Sequence, residues 1–195
     1  MQNTLTYYAA HAREFYAATV SVEFASIRQR FLAHLPANAR ILDFGCGSGR
    51  DTKAFLAQGC QVDAADGSLE LCRLASEYTG IEVRNMLFSE LSAIEEYDGV
   101  WACSSILHLP LDELTDVMHK MAAALKPGGI IYTSFKYGTF SGERNGRYFT
   151  DMTEETFAGL LQRIDGLSME EQWISVDARP GREEERWFNL ILRKN

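Results

Sequence analysis

The apolar positions change period along the chain. Up to Leu35 they recur at helical spacing: Tyr8, Phe15 and Tyr16 punctuate an Ala-rich run, and Phe24, Ile27, Phe31 and Leu35 follow at three- and four-residue steps until Pro36 stops the pattern. Arg40-Ile41-Leu42-Asp43-Phe44 is then a short apolar run that stops in Gly45-Cys46-Gly47-Ser48-Gly49, the composition of a buried strand feeding a tight turn. From there strands and helices alternate. A helix is predicted over 51–58, closed by Gly59, then a strand over 61–65 and a helix capped by Ser68 and running through Leu69, Leu71, Cys72 and Ala75. Short strands are predicted over 81–83 and 98–102. After Pro110 comes the clearest amphipathic stripe, Leu111, Leu114, Val117, Met118, Met121 and Leu125, which Lys126-Pro127-Gly128-Gly129 ends before a strand over 130–135. The polar segment 136–148 is predicted as a loop, followed by a helix near 153–164 and strands over 169–176 and 187–192. Strand and helix alternating at this spacing predict βαβ units: an α/β fold, doubly wound, with a mostly parallel sheet of seven strands and helices on both faces.

The chain's 195 residues, 46% of them hydrophobic, suit one compact domain. The net charge of −8 argues against a partner bound mainly through nucleic-acid phosphates. Cys46, Cys60, Cys72 and Cys103 form no C-x-x-C pair and read as reduced thiols, while His11, His34, His108 and His119 lack zinc spacing, so no metal is expected. No apolar run approaches the roughly 18 residues of a membrane span, and the first residues lack a basic segment followed by an apolar core. The expectation is a soluble cytoplasmic protein.

The loop Gly45-Cys46-Gly47-Ser48-Gly49 falls where the first strand ends and a helix begins, which in a doubly wound sheet is the ligand crevice. Glycine permits positive φ and lets a ligand touch backbone, although a tight turn alone also calls for it. Asp66 ends the second strand about 20 residues later, where a carboxylate accepts the hydroxyls of a ribose. Its competing role is an N-cap, for which Ser68 is available.

A dinucleotide and S-adenosylmethionine both meet these conditions. In the dinucleotide pattern G-x-G-x-x-G a third glycine packs the helix, whereas here Arg50 stands at that place and Gly49 comes one residue early. Asp43, just before the loop, is unfavourable beside a pyrophosphate and favourable beside an ammonium or sulfonium cation. The charge pattern suits a cationic ligand with a carboxylate tail.

The loop from Asp43 to Gly49, then Asp66, then Leu125-Lys126-Pro127-Gly128-Gly129 together resemble the class I S-adenosylmethionine-dependent methyltransferase family, over roughly residues 40–135. The resemblance implies a Rossmann-like fold whose last two strands are the family's sixth and reversed seventh, with the N-terminal helices as a lid. By position it places Gly45, Cys46 and Gly47 under the methionine portion, Arg50 toward its carboxylate, Asp66 on the ribose, and Gly67 and Ser68 beside the adenosine. Met86, Leu87 and Phe88 would cover adenine. Many relatives carry an acid near Leu87, and this chain does not. Cys103, Ser104 and Ser105 would pass the sulfonium, with His108 one helical step beyond. Tyr8 and Tyr16 would close over the cofactor, or form an aromatic packing stripe.

Transfer to a nucleophile is an in-line displacement at an activated methyl. A base is needed only where the acceptor must lose a proton, and His108 is the candidate because imidazole titrates near neutral pH; its bland alternative is a hydrogen-bonded residue opening the next helix. The acceptor wall is expected from 136–148 and the last hairpin. Lys136, Tyr137, Arg144, Arg147 and Tyr148 lie in the first, and Arg179, Arg182 and Arg186 in or beside the second. If these cations converge they would suit a small anionic acceptor; Glu183, Glu184 and Glu185 could instead neutralise them. Tyr137, Arg147, Arg179 and Arg182 are the substrate-binding candidates. The chain thus divides into a lid (1–38), a cofactor core (39–135) and an acceptor side (136–195) of one methyltransferase domain. A regulatory protein that binds S-adenosylmethionine without catalysis is the second reading, and a nicotinamide oxidoreductase the third. Oligomeric state is not legible in the sequence.

Overall fold

The computed structural model describes residues 2–195. Seven strands form one sheet in the order β3-β2-β1-β4-β5-β9-β8. They are β1 (Arg40–Phe44), β2 (Gln61–Asp66), β3 (Val83–Asn85), β4 (Tyr97–Ala102), β5 (Leu125–Lys136), β8 (Leu167–Val176) and β9 (Arg186–Lys194). The first five run parallel, and β9 pairs antiparallel with both β5 and β8. This is the mostly parallel, doubly wound sheet that the alternation of elements predicts.

Burial explains each strand's place. In β1, Ile41, Leu42 and Phe44 are all buried, as a central strand covered on both faces requires. Edge strand β8 instead alternates buried or half-buried with exposed positions. On one face Phe31, Phe55, Trp101 and Tyr132 pack with α3 (Ala25–Leu32) and α4 (Arg50–Ala57), and the Trp101 and Tyr132 rings stack 4.1 Å apart. On the other, Leu114, Val117, Met118 and Met121 of α6 (Leu111–Ala124) bury most of the predicted stripe together with Phe157 of α7 (Glu154–Leu161), while Leu111 stays exposed and Leu125 belongs to β5. The remaining core helix, α5 (Leu69–Thr79), is capped by Ser68, whose Oγ accepts the Leu71 N–H at 3.4 Å. Strand order reverses between β1 and β4, so the crevice opens at their carboxyl ends.

Three local expectations are corrected. The third strand begins at Val83, two residues later than the apolar run suggests. Lys126 to Gly129 lie inside β5, where the pairing with β4 slips between Tyr97 and Gly99, so these residues form a strand irregularity and not a helix stop. Most consequentially, the segment predicted as a loop over 136–148 contains a two-stranded hairpin, β6 (Ser141–Arg144) and β7 (Arg147–Thr150). Its two-residue turn, Asn145 at φ 49° and Gly146 at φ 75°, supplies the pair of positive φ angles that a type I′ hairpin needs.

The hairpin meets α1 (Gln2–Ala10), the first of two N-terminal helices, which α2 (Ala12–Thr19) follows. The Tyr148 N–H donates to Thr4 Oγ1 at 3.0 Å, and Thr150 Oγ1 donates to the Leu109 carbonyl at 2.7 Å. Helices and hairpin together roof the crevice. Among the described residues no helix is long and apolar enough to cross a membrane.

Candidate active site

The floor of the crevice is backbone. Gly45 and Cys46 donate their N–H groups to the Ala65 carbonyl at 2.8 and 3.0 Å, bending the chain sharply off β1. Gly45 sits at φ 83°, and a Cβ there would lie 2.5 Å from Ser105 Cβ, so the position admits only glycine. Gly49 at φ 75° starts α4, and a Cβ on it would lie 2.7 Å from Thr79 Cγ2 of α5. The third glycine therefore packs α4 close to α5, one residue earlier than in the dinucleotide pattern.

Asp66 pins this loop. Its Oδ2 accepts the Gly47 N–H and its Oδ1 the Ser68 N–H, both at 2.9 Å. Burial raises its pKa against the pull of these two bonds. Each oxygen keeps a lone pair for a further donor. Asp43 is 2% exposed and accepts Thr52 Oγ1–H at 2.5 Å. Burial, and then the Asp51 charge, push its pKa up to about 8, so it is largely protonated until a cation approaches.

Arg50 lines the cleft, yet its guanidinium is forked onto Asp51 at 3.0 and 2.7 Å and lies over the Phe24 ring. Asp51 also accepts from Arg28 at 2.8 Å and from the Trp101 indole at 3.0 Å. Against its burial, these cations hold Asp51 below the usual carboxylate range.

Beyond β4, Ser104 at φ 52° donates its N–H to Ser134 Oγ at 3.0 Å, and Ser105 Oγ donates to the Phe44 carbonyl at 2.7 Å, tying the ends of three strands. His108 is 6% exposed in the turn that follows. Its Nδ1 lies 2.6 Å from the Tyr148 carbonyl, which can only accept, so Nδ1 carries the proton and Nε2 presents a lone pair. Tyr8 Oη donates to that lone pair at 2.9 Å. Burial first, then Arg147, hold the His108 pKa down to about 4 although the Tyr148 bond opposes them. The expectation of a histidine titrating near neutrality is corrected: His108 is a neutral acceptor across the physiological range. Burial raises the Tyr8 pKa and pushes the Cys103 thiol up to about 12.

One cleft of about 580 Å³ collects Tyr8, Asp43, Gly45, Cys46, Gly47, Arg50, Asp66, Gly67, Met86, Leu87, Cys103, Ser104, Ser105 and His108 with Tyr137, Arg147, Arg179 and Arg182. Two predicted residues are not on its wall. Tyr16 packs edge-on against Tyr78 of α5, with ring centroids 6.0 Å apart, and Phe15, the next residue round the helix, takes the cleft position beside Gly47. Ser68 is buried as the α5 cap. Leu5, which the sequence pattern does not single out, and Phe24, which it places only in a helical stripe, also line the cleft.

The expected positive mouth is mostly cancelled. Arg179 is forked onto Asp177 at 2.9 and 2.5 Å, Arg182 pairs with Glu185 at 3.2 Å and Arg144 with Asp151 at 2.6 Å, while Lys136 is shared by Asp177 and Glu185. Tyr137, 38% exposed, donates to Glu154 at 3.0 Å.

Comparison with known proteins places this geometry among relatives. Residues 41–129 match the family model described as "Methyltransferase domain". A ubiquinone biosynthesis O-methyltransferase of Xanthomonas axonopodis pv. citri (strain 306) is 34% identical over 122 residues, covering 59% of this chain and 48% of the relative. The chain thus spans about half the length of the curated relatives it matches. Among solved structures, a Burkholderia thailandensis 1,6-didemethyltoxoflavin-N1-methyltransferase, crystallised with 1,6-didemethyltoxoflavin and S-adenosylhomocysteine, superposes with a TM-score of 0.77 at 24% identity over 97% of this chain and 85% of that one. The N-methyltransferase NodS from Bradyrhizobium japonicum WM9, with S-adenosylhomocysteine, gives 0.70 at 16% identity over 95% and 97%.

Proposed function

We propose that this chain, whose residues 41–129 match a methyltransferase-domain model and whose sheet has the doubly wound order, is a class I S-adenosylmethionine-dependent methyltransferase that moves a methyl group from S-adenosylmethionine to a small-molecule acceptor. The observation that carries the reading is Asp66, fixed by two backbone N–H groups at the crevice with acceptor capacity left on both oxygens, as the hydroxyls of a ribose require. The donor set fits the cofactor's other parts. Gly45, Cys46 and Gly47 form a side-chain-poor floor for the methionine portion, Gly67 lies by the adenosine, and Met86 and Leu87 cover adenine. Asp43 faces the cationic end, where an ammonium or sulfonium charge draws off its proton. Arg50 reaches the carboxylate tail only by sharing its guanidinium with Asp51.

When bound, the cofactor supplies a methyl on positively charged sulfur, so the protein's work is alignment, worth roughly 7–11 kcal/mol in well-oriented systems. Cys103, Ser104 and Ser105 flank the path of the methyl. Where the acceptor carries a proton, the Tyr8 hydroxyl and the His108 lone pair form the nearest sink for it. The acceptor side is 136–195 together with the lid 1–38; Tyr137, Arg179 and Arg182 stand at its rim with their polar groups already paired. The acidic charge argues against nucleic acid as acceptor, and reduced cysteines suit a cytoplasmic setting.

The test is calorimetry with S-adenosylhomocysteine and NADH, followed by incubation of the protein with methyl-labelled S-adenosylmethionine and a metabolite extract. S-Adenosylhomocysteine binding and labelled product are expected. Binding without any product favours a regulatory protein, and binding of NADH alone overturns the reading.

A further inference from the structure

We infer that Arg147 selects the acceptor by holding the carboxylate of a flat aromatic molecule; this rests on the cleft taking S-adenosylmethionine. Of the cations that line the cleft from the hairpin and the last strands, Arg144, Arg179 and Arg182 each have an acidic partner, while Arg147 and Arg186 have no ion pair among the described residues; Arg186 is exposed to solvent and Arg147 is half-buried. Its single hydrogen bond is a long one, Nη1 to Tyr8 Oη at 3.4 Å. Its Nε is buried without any partner, a state that native proteins keep for groups with a use.

The guanidinium is placed by faces and not by charges. It lies 4.5 Å from the Tyr7 ring centroid, 5.2 Å from Phe149 and 5.7 Å from Tyr8. Aromatic faces occupy the plane of the group and leave its edge for a ligand, and two N–H groups along a guanidinium edge match a carboxylate's two oxygens. An unneutralised cation in a wall of rings is costly to keep, and an anionic ligand removes that cost. The neighbouring walls, Tyr8, His108 and Phe149, are planar rings, and the last two stand edge to face at 4.8 Å, so the complementary ligand body is itself flat and apolar. The Tyr8 hydroxyl between Arg147 and His108 links the anion subsite to the proton sink.

The protein saturated with S-adenosylhomocysteine is titrated calorimetrically with 3-hydroxybenzoate and with its neutral isostere 3-hydroxybenzamide. Wild type is expected to prefer the carboxylate by roughly tenfold to a hundredfold, the range of hydrogen bonds to charged groups. Arg147→Gln abolishes that preference, Arg147→Lys keeps a reduced one because a point charge lacks the fork, and Arg163→Gln, which removes a cation paired with Asp112 outside the cleft, keeps it whole. Equal or absent binding of the two probes by wild type overturns the assignment, as does loss of the preference in Arg163→Gln. A fall in S-adenosylhomocysteine affinity in a folded Arg147→Gln also overturns it, by moving Arg147 to the cofactor. Failure of wild type to bind S-adenosylhomocysteine strikes the methyltransferase reading itself, which the probe titration does not touch.

Discussion

On the sheet side of the cleft the walls are backbone: Gly45 and Cys46 hang from Ala65, Gly47 from Asp66, and the ends of β1, β4 and β5 are cross-tied through Ser105 and Ser134. On the roof side the walls are side chains from two elements outside the sheet, the N-terminal helices and the β6–β7 hairpin, joined directly by the Tyr148–Thr4 bond and the rings around Arg147, and through His108 of the turn after β4, which bonds both Tyr8 and the Tyr148 carbonyl. Backbone walls tolerate almost no change of residue, whereas side-chain walls can be re-specified one residue at a time. The difference explains how one cofactor platform can serve many acceptors: specificity sits on parts whose replacement leaves the platform intact.

The largest expected effect comes from breaking the platform. Gly45→Val adds a side chain where a Cβ alone would meet Ser105 Cβ at 2.5 Å, at φ 83°. Strain and overpacking together are expected to cost roughly 3–5 kcal/mol, read by urea denaturation, with S-adenosylhomocysteine binding lost. A variant that folds and binds normally would show that the loop adapts, and the contrast between the two sides would go.

The next effect separates the sides by pH. His108 has its pKa held down to about 4 in the folded protein against an ordinary 6.5, so the unfolded chain binds more protons between these values and stability rises with pH across that window. The full contribution is roughly 3 kcal/mol. Asp43, pushed up to about 8 from 3.8, acts in the opposite sense: its contribution is present at low pH and is lost as pH rises toward 8. Subtracting the curve of His108→Gln from that of wild type cancels the Asp43 part and leaves the histidine's. A difference that does not vary between pH 4 and 7 would mean that His108 is solvated and the roof open.

Asp66→Ala is expected to weaken S-adenosylhomocysteine binding by about 1.5–3 kcal/mol, the worth of hydrogen bonds to a charged group. Because the carboxylate also accepts from Gly47 and Ser68, a stability loss of about 1–3 kcal/mol accompanies the binding loss. Unchanged stability by denaturation would return Asp66 to a ligand-only role.

How much of this the sequence disclosed follows the same division. The platform was legible because its parts are local: an apolar run, a glycine turn and an acid one βαβ unit later occupy fixed places in any doubly wound sheet. Asp66 closes β2 and Gly45 follows directly on β1, as the sequence pattern predicts. The roof was not, because its contacts join residues about a hundred or more apart, such as Tyr8 with His108 and Thr4 with Tyr148. The hairpin had a readable signal, Asn145-Gly146, that the surrounding charges and glycines obscured. Tyr16 in place of Phe15 is a one-residue error on a helix, about 100° of rotation, which no short aromatic pattern resolves. The pairing of Arg179 with Asp177 could be suspected from their spacing; the solitude of Arg147 could not, since it depends on where every acid goes.

The smallest effect tests whether the roof is one unit. Tyr8→Phe removes the hydroxyl that donates to His108 Nε2 and accepts from Arg147, at an expected cost of about 1 kcal/mol in stability, with S-adenosylhomocysteine affinity unchanged. The combination with His108→Gln makes it diagnostic. If the two side chains act through their shared bond, the double variant loses less than the sum of the single losses, by about 0.5–1 kcal/mol of coupling in a denaturation cycle. Additive losses would mean that α1 and the turn bearing His108 are held separately, and the acceptor side would then be two independent walls whose only common anchor is the sheet beneath them.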